Sequence, residues 1–261
     1  MAGSTPVQHI LTAPSAAQAC AGPRGVMTDN RHVTPPLVLL DLDGTLTDSA
    51  PGILASVTLA YRALGLPVPS PTELRTFVGP PIPVSLRAHG VPESRVAEAL
   101  AAYRVEFEAG GMFDNSVYPG IREALKTLRA ASWTLAVATS KPEVYARRIC
   151  DRFALTGLVD GVYGASLDES RGTKAAVIGH ALASLGAAVP ERARIVMVGD
   201  REHDVLGAAV HGIACLGAEW GYAVPGELDR AGAIGIIATP ADLADAVVRF
   251  SRPAGRTPVT A

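Results

Sequence analysis

Leu37-Val38-Leu39-Leu40-Asp41-Leu42-Asp43-Gly44-Thr45-Leu46-Thr47-Asp48-Ser49 is the stretch on which the reading of the fold turns. Its first four residues are all apolar, without polar alternation. That pattern predicts a short strand covered on both faces, as in the middle of a parallel sheet. The run then gives way to two carboxylates, Asp41 and Asp43. In open α/β sheets the crevice at the carboxyl ends of the strands is where ligands bind. Asp and Gly would also suit a solvated turn. Leu42 and Leu46, interleaved with the acids, point instead to a packed site.

Similar short apolar runs recur at 134–138, 195–198, 213–216 and 234–238. Helical patterns lie between several of them. Ile121, Leu125 and Leu128 share one face after the Pro119-Gly120 turn, and Pro142 suits a helix start, where its missing N–H is no loss. Residues 204–211 read as a short helix closed by Gly212. Thr239-Pro240 and Asp242 read as a cap and first turn leading into Leu243, Val247 and Phe250. Strands alternating with helices predict right-handed βαβ units. The expected fold is therefore α/β: a Rossmann-like parallel sheet with helices on both faces.

The segment 51–117 breaks the alternation. Ile53, Val57, Tyr61 and Leu64 form one helical stripe, and Val96, Leu100, Tyr103 and Phe107 form another. Between them lie the Pro-rich Phe77-Val78-Gly79-Pro80-Pro81-Ile82-Pro83 and a shorter helix near 85–89. This predicts an inserted α-helical cap domain over 51–117, within an α/β core made of 35–50 and 118–250. Flexible tails are expected at 1–34 and 251–261. The first of these is rich in Ala, Pro, Ser, Thr and Gly and lacks the basic and apolar regions of a secretory signal.

Composition narrows the class. With 261 residues, 48% of them hydrophobic and 18% charged, the chain has enough apolar material for a sizeable core, so global disorder is not expected. A net charge of −2 gives no electrostatic footprint for nucleic acid or an anionic membrane. No apolar run reaches the roughly 18 residues of a membrane span. The three cysteines, Cys20, Cys150 and Cys215, are far apart and form no CxxC pair. This argues against disulfide and zinc frameworks and fits a reducing, cytoplasmic setting.

Four segments carry candidate chemistry. The Asp41/Asp43 pair is the first. Val137-Ala138-Thr139-Ser140-Lys141 is the second, where a hydroxyl at a strand's end could hydrogen-bond a ligand or simply cap a helix. The third is Lys174 in Ser170-Arg171-Gly172-Thr173-Lys174, beside the competing Arg171. An ammonium there could neutralise nearby carboxylates, unless Lys174 is an ordinary surface lysine. The fourth is Val198-Gly199-Asp200-Arg201-Glu202-His203-Asp204, two acids placed after a buried strand. Their hard oxygen donors suit Mg²⁺, and His203 is expected to be a loop residue.

In this order the segments resemble the motifs of the haloacid dehalogenase-like superfamily, from Leu37 to about Phe250. The Phe77-Val78-Gly79-Pro80-Pro81 loop resembles its phosphoglycolate phosphatase-like branch. The resemblance implies that Asp41 attacks phosphorus and becomes an aspartyl phosphate. Asp43 would protonate the leaving oxygen and then activate water. Gly44, Thr139, Ser140 and Lys174 would hold the phosphoryl group. Asp41, Asp43 (through its backbone carbonyl), Asp200 and Asp204 would hold Mg²⁺ or its waters. The substrate would be a small phosphate monoester, such as phosphoglycolate or a nucleotide. Arg87 and His89 are candidates for its far end, although an exposed helix face explains them as well. Trp220-Gly221-Tyr222 also resembles this branch and is read as packing and a turn.

The chain also resembles a tyrosine kinase of actinobacteria built on this fold, so a protein substrate enters under that alternative. A sugar phosphomutase would share nearly all of the motifs. A dehalogenase is disfavoured because Asp43 keeps the acid of phosphoryl chemistry.

Overall fold

The computed structural model describes residues 34–250. Almost all of the two tails and Cys20 lie outside the described residues. In chain order the elements are β1 (Leu37–Leu40), β2 (Thr47–Asp48), α1 (Ala50–Ala63), α2 (Pro71–Arg75), α3 (Ile82–Ala88), α4 (Val96–Ala109), β3 (Ser116–Val117), α5 (Ile121–Ala130), β4 (Thr134–Pro142), α6 (Glu143–Arg152) and β5 (Gly161–Ala165). They continue with α7 (Lys174–Leu185), β6 (Ile195–Gly199), α8 (Glu202–Ala209), β7 (Ala214–Ala218), α9 (Glu227–Ala231), β8 (Gly235–Ile237) and α10 (Leu243–Phe250).

The main sheet has six strands in the order β5-β4-β1-β6-β7-β8, and its strand pairs are all parallel. β1 is central, with Leu37 opposite Thr134 of β4 and Ile195 of β6. From β1 the chain builds outward through β4 and β5. It then returns to the other side of β1 and builds outward again through β6, β7 and β8. The reversal at β1 opens a crevice at the carboxyl ends of β1, β4 and β6, and Asp41, Thr139 and Asp200 all stand there.

The unbroken apolar run of β1 follows from this central place. All four of its residues are fully buried. Val38 and Leu40 face a core shared with α5, α6 and α10 through Leu125, Ile149 and Val247. Leu37 and Leu39 face a core shared with α7 and α8 through Val177, Ile178 and Val205. Each such side chain contributes roughly 1.5–3 kcal/mol relative to an exposed one, so both faces of the sheet are anchored at β1.

Between β2 and β3 the chain is helical, with Ile53, Val57 and Tyr61 of α1 buried in one cluster with Tyr103 and Phe107 of α4. β2 and β3 pair antiparallel, Thr47 with Val117 and Asp48 with Ser116. The chain thus leaves and re-enters the sheet region through one narrow ribbon. Two residues per strand are too few to show a period in sequence.

Several boundaries differ from expectation; among them, α8 spans Glu202–Ala209 rather than 204–211, and β8 only Gly235–Ile237. β4 runs four residues beyond Ala138, because its partner β5 continues alongside it with a register shift between Thr139 and Pro142. Pro142 therefore closes a strand and stands as the N-cap of α6. β7 starts one residue later and ends later than the apolar run suggested. Among the described residues, no helix is long and apolar enough to cross a membrane.

Candidate active site

Asp41 follows β1 directly, and its N–H continues the ladder to the Val198 carbonyl at 2.9 Å. Its carboxylate is buried. Oδ1 accepts from the Leu42 N–H at 2.8 Å and pairs with Lys174 Nζ at 2.8 Å. Lys174, at the start of α7, also reaches Asp204 Oδ1 at 2.7 Å and the Ala138 carbonyl at 3.0 Å. One buried ammonium thus joins the ends of β1 and β4 to α8. Arg171, the competing cation, turns away: its Nε donates to the Gly164 carbonyl at 2.8 Å and its Nη2 lies 3.5 Å from Glu143.

Asp200 is fully buried at the end of β6. Its carboxylate accepts from Thr45 Oγ1 at 3.2 Å and from the Tyr222 N–H at 2.8 Å. Asp204 accepts the Arg201 N–H at 3.1 Å. Asp41, Asp200 and Asp204 each offer an oxygen within 4.8 Å of the others, a donor set able to hold a metal ion. Close packing makes this possible. Gly44 has φ +82°, and a Cβ there would stand 2.2 Å from Asp200 Oδ2, so only glycine lets the loop lie against the acid.

Burial and like charge dominate the electrostatics. Burial raises the Asp41 pKa and Asp204 adds to this; Lys174 opposes them, and the balance leaves it pushed up to about 6. Burial, then Asp204 and Asp41, drive Asp200 well above the ordinary carboxylate range. Burial disfavours the Lys174 ammonium, but Asp204 and Asp41 outweigh it, so its pKa is raised and it stays charged. Three acids thus crowd around one cation. A divalent cation would supply the missing positive charge, and carboxylate oxygens are the donors that Mg²⁺ prefers. The residues fit the ion.

The Asp43 side chain turns from this cluster to a different cation. Its Oδ2 pairs with Lys141 Nζ at 3.0 Å, both side chains being buried, and its Oδ1 is buried without a hydrogen bond among the described residues. Lys141 also stands 4.7 Å from the centre of the Phe107 ring on α4. Thr139 is buried and accepts the Lys141 N–H at 3.3 Å. Asp43, Ser140 and Lys141 line a cavity of about 70 Å³, closed from the helical side by Phe77, Tyr103 and Phe107. Arg104 lines it as well, with Nη2 donating to the Leu167 carbonyl at 3.0 Å.

The structure therefore gathers Asp41, Gly44, Lys174, Asp200 and Asp204 into one cluster, with Asp43, Thr139 and Ser140 at its edge. Arg87 and His89 go elsewhere. Arg87 binds Glu93 at 2.8 and 3.0 Å. His89 has its ring nitrogens 2.8 Å from the Ser85 carbonyl and 3.1 Å from Thr76 Oγ1. His203, expected in a loop, lies instead in the first turn of α8, because the helix begins two residues earlier than its apolar pattern suggested.

Two residues received no chemical role from sequence. Lys141 stood in the second motif, and its place directly after Thr139-Ser140 was the available signal. Tyr222 was read as packing, yet its N–H binds Asp200 and its hydroxyl donates to Asp48 Oδ1 at 2.6 Å. No local pattern shows that link.

Known proteins share this arrangement of the chain. Over 197 residues it is 48% identical to the tyrosine-protein kinase PtkA of Mycobacterium tuberculosis, a match that covers 76% of this chain and 66% of that one, just under two thirds. Over 194 residues it is 42% identical to a 5′-nucleotidase of Pseudomonas aeruginosa, covering 74% of this chain and 86% of that one. A crystal structure of a predicted phosphatase from Clostridium acetobutylicum superposes with a TM-score of 0.78 at 38% identity, covering 82% of this chain and 99% of that one. Residues 38–218 match the haloacid dehalogenase-like hydrolase family, and the chain belongs to it.

Proposed function

We propose that the protein is a Mg²⁺-dependent phosphatase that hydrolyses a small phosphate monoester through an aspartyl phosphate on Asp41. The observation that carries this reading is the buried Asp41 carboxylate, fixed by Lys174 at 2.8 Å within the Asp200–Asp204 cluster. Lys174 and the Leu42 N–H both engage Oδ1 of Asp41. Oδ2 is then the oxygen that attacks phosphorus as the ester P–O bond breaks. Asp43 gives the departing oxygen its proton. In the second half-reaction Asp43 takes a proton from water, which attacks the same phosphorus and frees Asp41 and inorganic phosphate. Thr139, Ser140 and the loop at Gly44 hold the non-reacting phosphoryl oxygens.

Asp41, Asp200, Asp204 and the Asp43 carbonyl would hold Mg²⁺, which when bound supplies positive charge beside the transferred group. Lys174 supplies a fixed charge of its own on the same group. Residues 51–117 act as a cap over the crevice. Closed, they exclude water while the transfer occurs; open, they release product. The walls of Phe77, Tyr103 and Phe107 and the cavity of about 70 Å³ favour a small leaving group over a protein side chain on its backbone.

The similarity to PtkA supports a second reading, transfer of phosphate to protein tyrosine from the same carboxylate. Phosphate release from phosphoglycolate, nucleoside monophosphates and phosphotyrosine, with and without Mg²⁺, separates the two. Mg²⁺-dependent turnover of a small ester, lost in Asp41→Asn, is the expected result. No release from any ester, together with label moving from ATP to protein tyrosine, would replace hydrolysis by the kinase reading.

A further inference from the structure

Arg201 stands between two members of the acidic cluster in sequence, yet its side chain leaves the cluster altogether. Its own N–H donates to Asp204 Oδ2 at 3.1 Å. Its guanidinium reaches across to the helical segment, where Nη1 donates to the Val78 carbonyl at 2.7 Å. Nε donates to Glu227 Oε1 at 2.8 Å. Glu227 is itself held, accepting the Glu202 N–H at 2.9 Å and the Val224 N–H at 3.0 Å. The Arg201 and Glu227 side chains are only 11% and 6% exposed. Burial works against the Glu227 charge, but Arg201 and the two N–H groups outweigh it and hold its carboxyl below the usual range.

The Val78 loop is shaped to receive this side chain. Gly79 has φ +105°, and a Cβ on it would stand 2.9 Å from Arg201 Cγ. Phe77 and Val78 are buried. Phe77, Gly79, Pro80 and Pro81 form one wall of the cavity beside Asp43.

We propose that Arg201 is a positioning residue that clamps the 77–81 loop against the α/β core and so sets the shape of the leaving-group cavity. The clamp rests on reading that cavity as the substrate site. It depends on a guanidinium because one fork serves two acceptors at once, one on each side of the crevice. A lysine could reach one acceptor but could not hold both in the same geometry.

The test is hydrogen exchange of the full chain, followed by mass spectrometry of peptides covering 76–83, in Arg201→Met, Arg201→Lys and Gly79→Ala. Losing a charge-assisted hydrogen bond predicts about tenfold faster exchange there in Arg201→Met. Arg201→Lys should fall between it and the parent. Gly79→Ala, which pushes the loop off the arginine, should loosen the same peptides. In steady state, Arg201→Met should raise KM for the turned-over ester several-fold, about as much as kcat/KM falls, with kcat little changed. Bulkier esters should lose less than small ones.

A folded Arg201→Met with unchanged exchange at 76–83 overturns the clamp. So does loosening spread evenly over the whole chain. Should Arg201→Met fail to fold, Gly79→Ala decides by the same exchange readout. Absence of phosphatase activity in the parent would remove the proposed reaction, while the exchange data would still decide the clamp.

Discussion

Replacing Lys174 by Met removes a buried cation and keeps most of its apolar stem. Its ammonium meets Asp41 at 2.8 Å, Asp204 at 2.7 Å and the Ala138 carbonyl at 3.0 Å. Methionine fills much the same volume, so the cavity cost is small. Electrostatics then decides the outcome. Stripping one partner from a buried pair costs about 3–5 kcal/mol, because the remaining charge stays out of water. Protonation limits that loss. Burial already pushes Asp41 up to about 6, despite the opposing pull of Lys174. Taking up one proton there at about pH 7.5 costs at most about 2 kcal/mol. The Ala138 carbonyl loses its donor, adding about 1 kcal/mol.

The expected destabilisation without divalent cations is therefore about 2–4 kcal/mol. The sign of its pH dependence follows. The variant's folded state binds more protons than its unfolded state, so its stability rises as pH falls from 8 toward 6 and the deficit narrows. Added Mg²⁺ should stabilise the variant more than the parent, since it replaces the lost charge. Urea unfolding in EDTA and in Mg²⁺, at both pH values, measures all three quantities. A loss below about 0.5 kcal/mol in EDTA at pH 8 would mean instead that the three acids carry no uncompensated buried charge.

Gly44→Ala would place a Cβ 2.2 Å from Asp200 Oδ2 at φ +82°. Strain and overlap together should cost about 2–4 kcal/mol in a melt and weaken Mg²⁺ binding by calorimetry; an unchanged affinity would count against the close approach. Lys141→Met leaves the Asp43 carboxylate buried without its cation, so turnover should fall by about 10²-fold while Mg²⁺ affinity holds, as kinetics and calorimetry would show. Burial pushes the Cys150 thiol up to about 12. In a Cys20→Ser background the folded protein should then resist iodoacetamide at pH 8 and react only after unfolding, and rapid native labelling of Cys150 would contradict its burial.

How much was legible in the sequence varied from element to element. β1 announced itself because four residues buried on both faces leave no polar gap. β5 stayed hidden: Gly161-Val162-Tyr163-Gly164-Ala165 alternates between buried and half-exposed at the sheet's edge, and two of its five residues have no side chain. α2 was readable in principle, since Ser70 and Glu73 form a capping box around Pro71, but its five residues show no apolar period. The acidic cluster was legible because each acid directly follows a strand or opens a helix, so topology alone brings them together.

Lys141, Tyr222 and Arg201 were not legible in that way. Each pairs with a residue far away in the chain, Phe107, Asp48 and Val78 respectively, the first and last of them in the helical segment. Such pairings depend on how the helical segment lies on the sheet, and no local spacing encodes that. Arg87 and His89 are engaged within the helical segment itself. Their charge and position suited the role, but Glu93, Ser85 and Thr76 already engage them.

Asp41 is the residue proposed to carry the phosphoryl group. The most direct measurement mixes the enzyme with an ester that it turns over, quenches in acid within milliseconds, reduces the acyl phosphate with tritiated borohydride, which expels phosphate and leaves tritiated homoserine, and maps the tritiated peptide. A hydroxylamine-labile phosphate on Asp41, formed and lost at rates consistent with turnover and absent in Asp41→Asn, is the expected result. Label on another residue, or full turnover with no phosphorylated enzyme at any quench time, would contradict it.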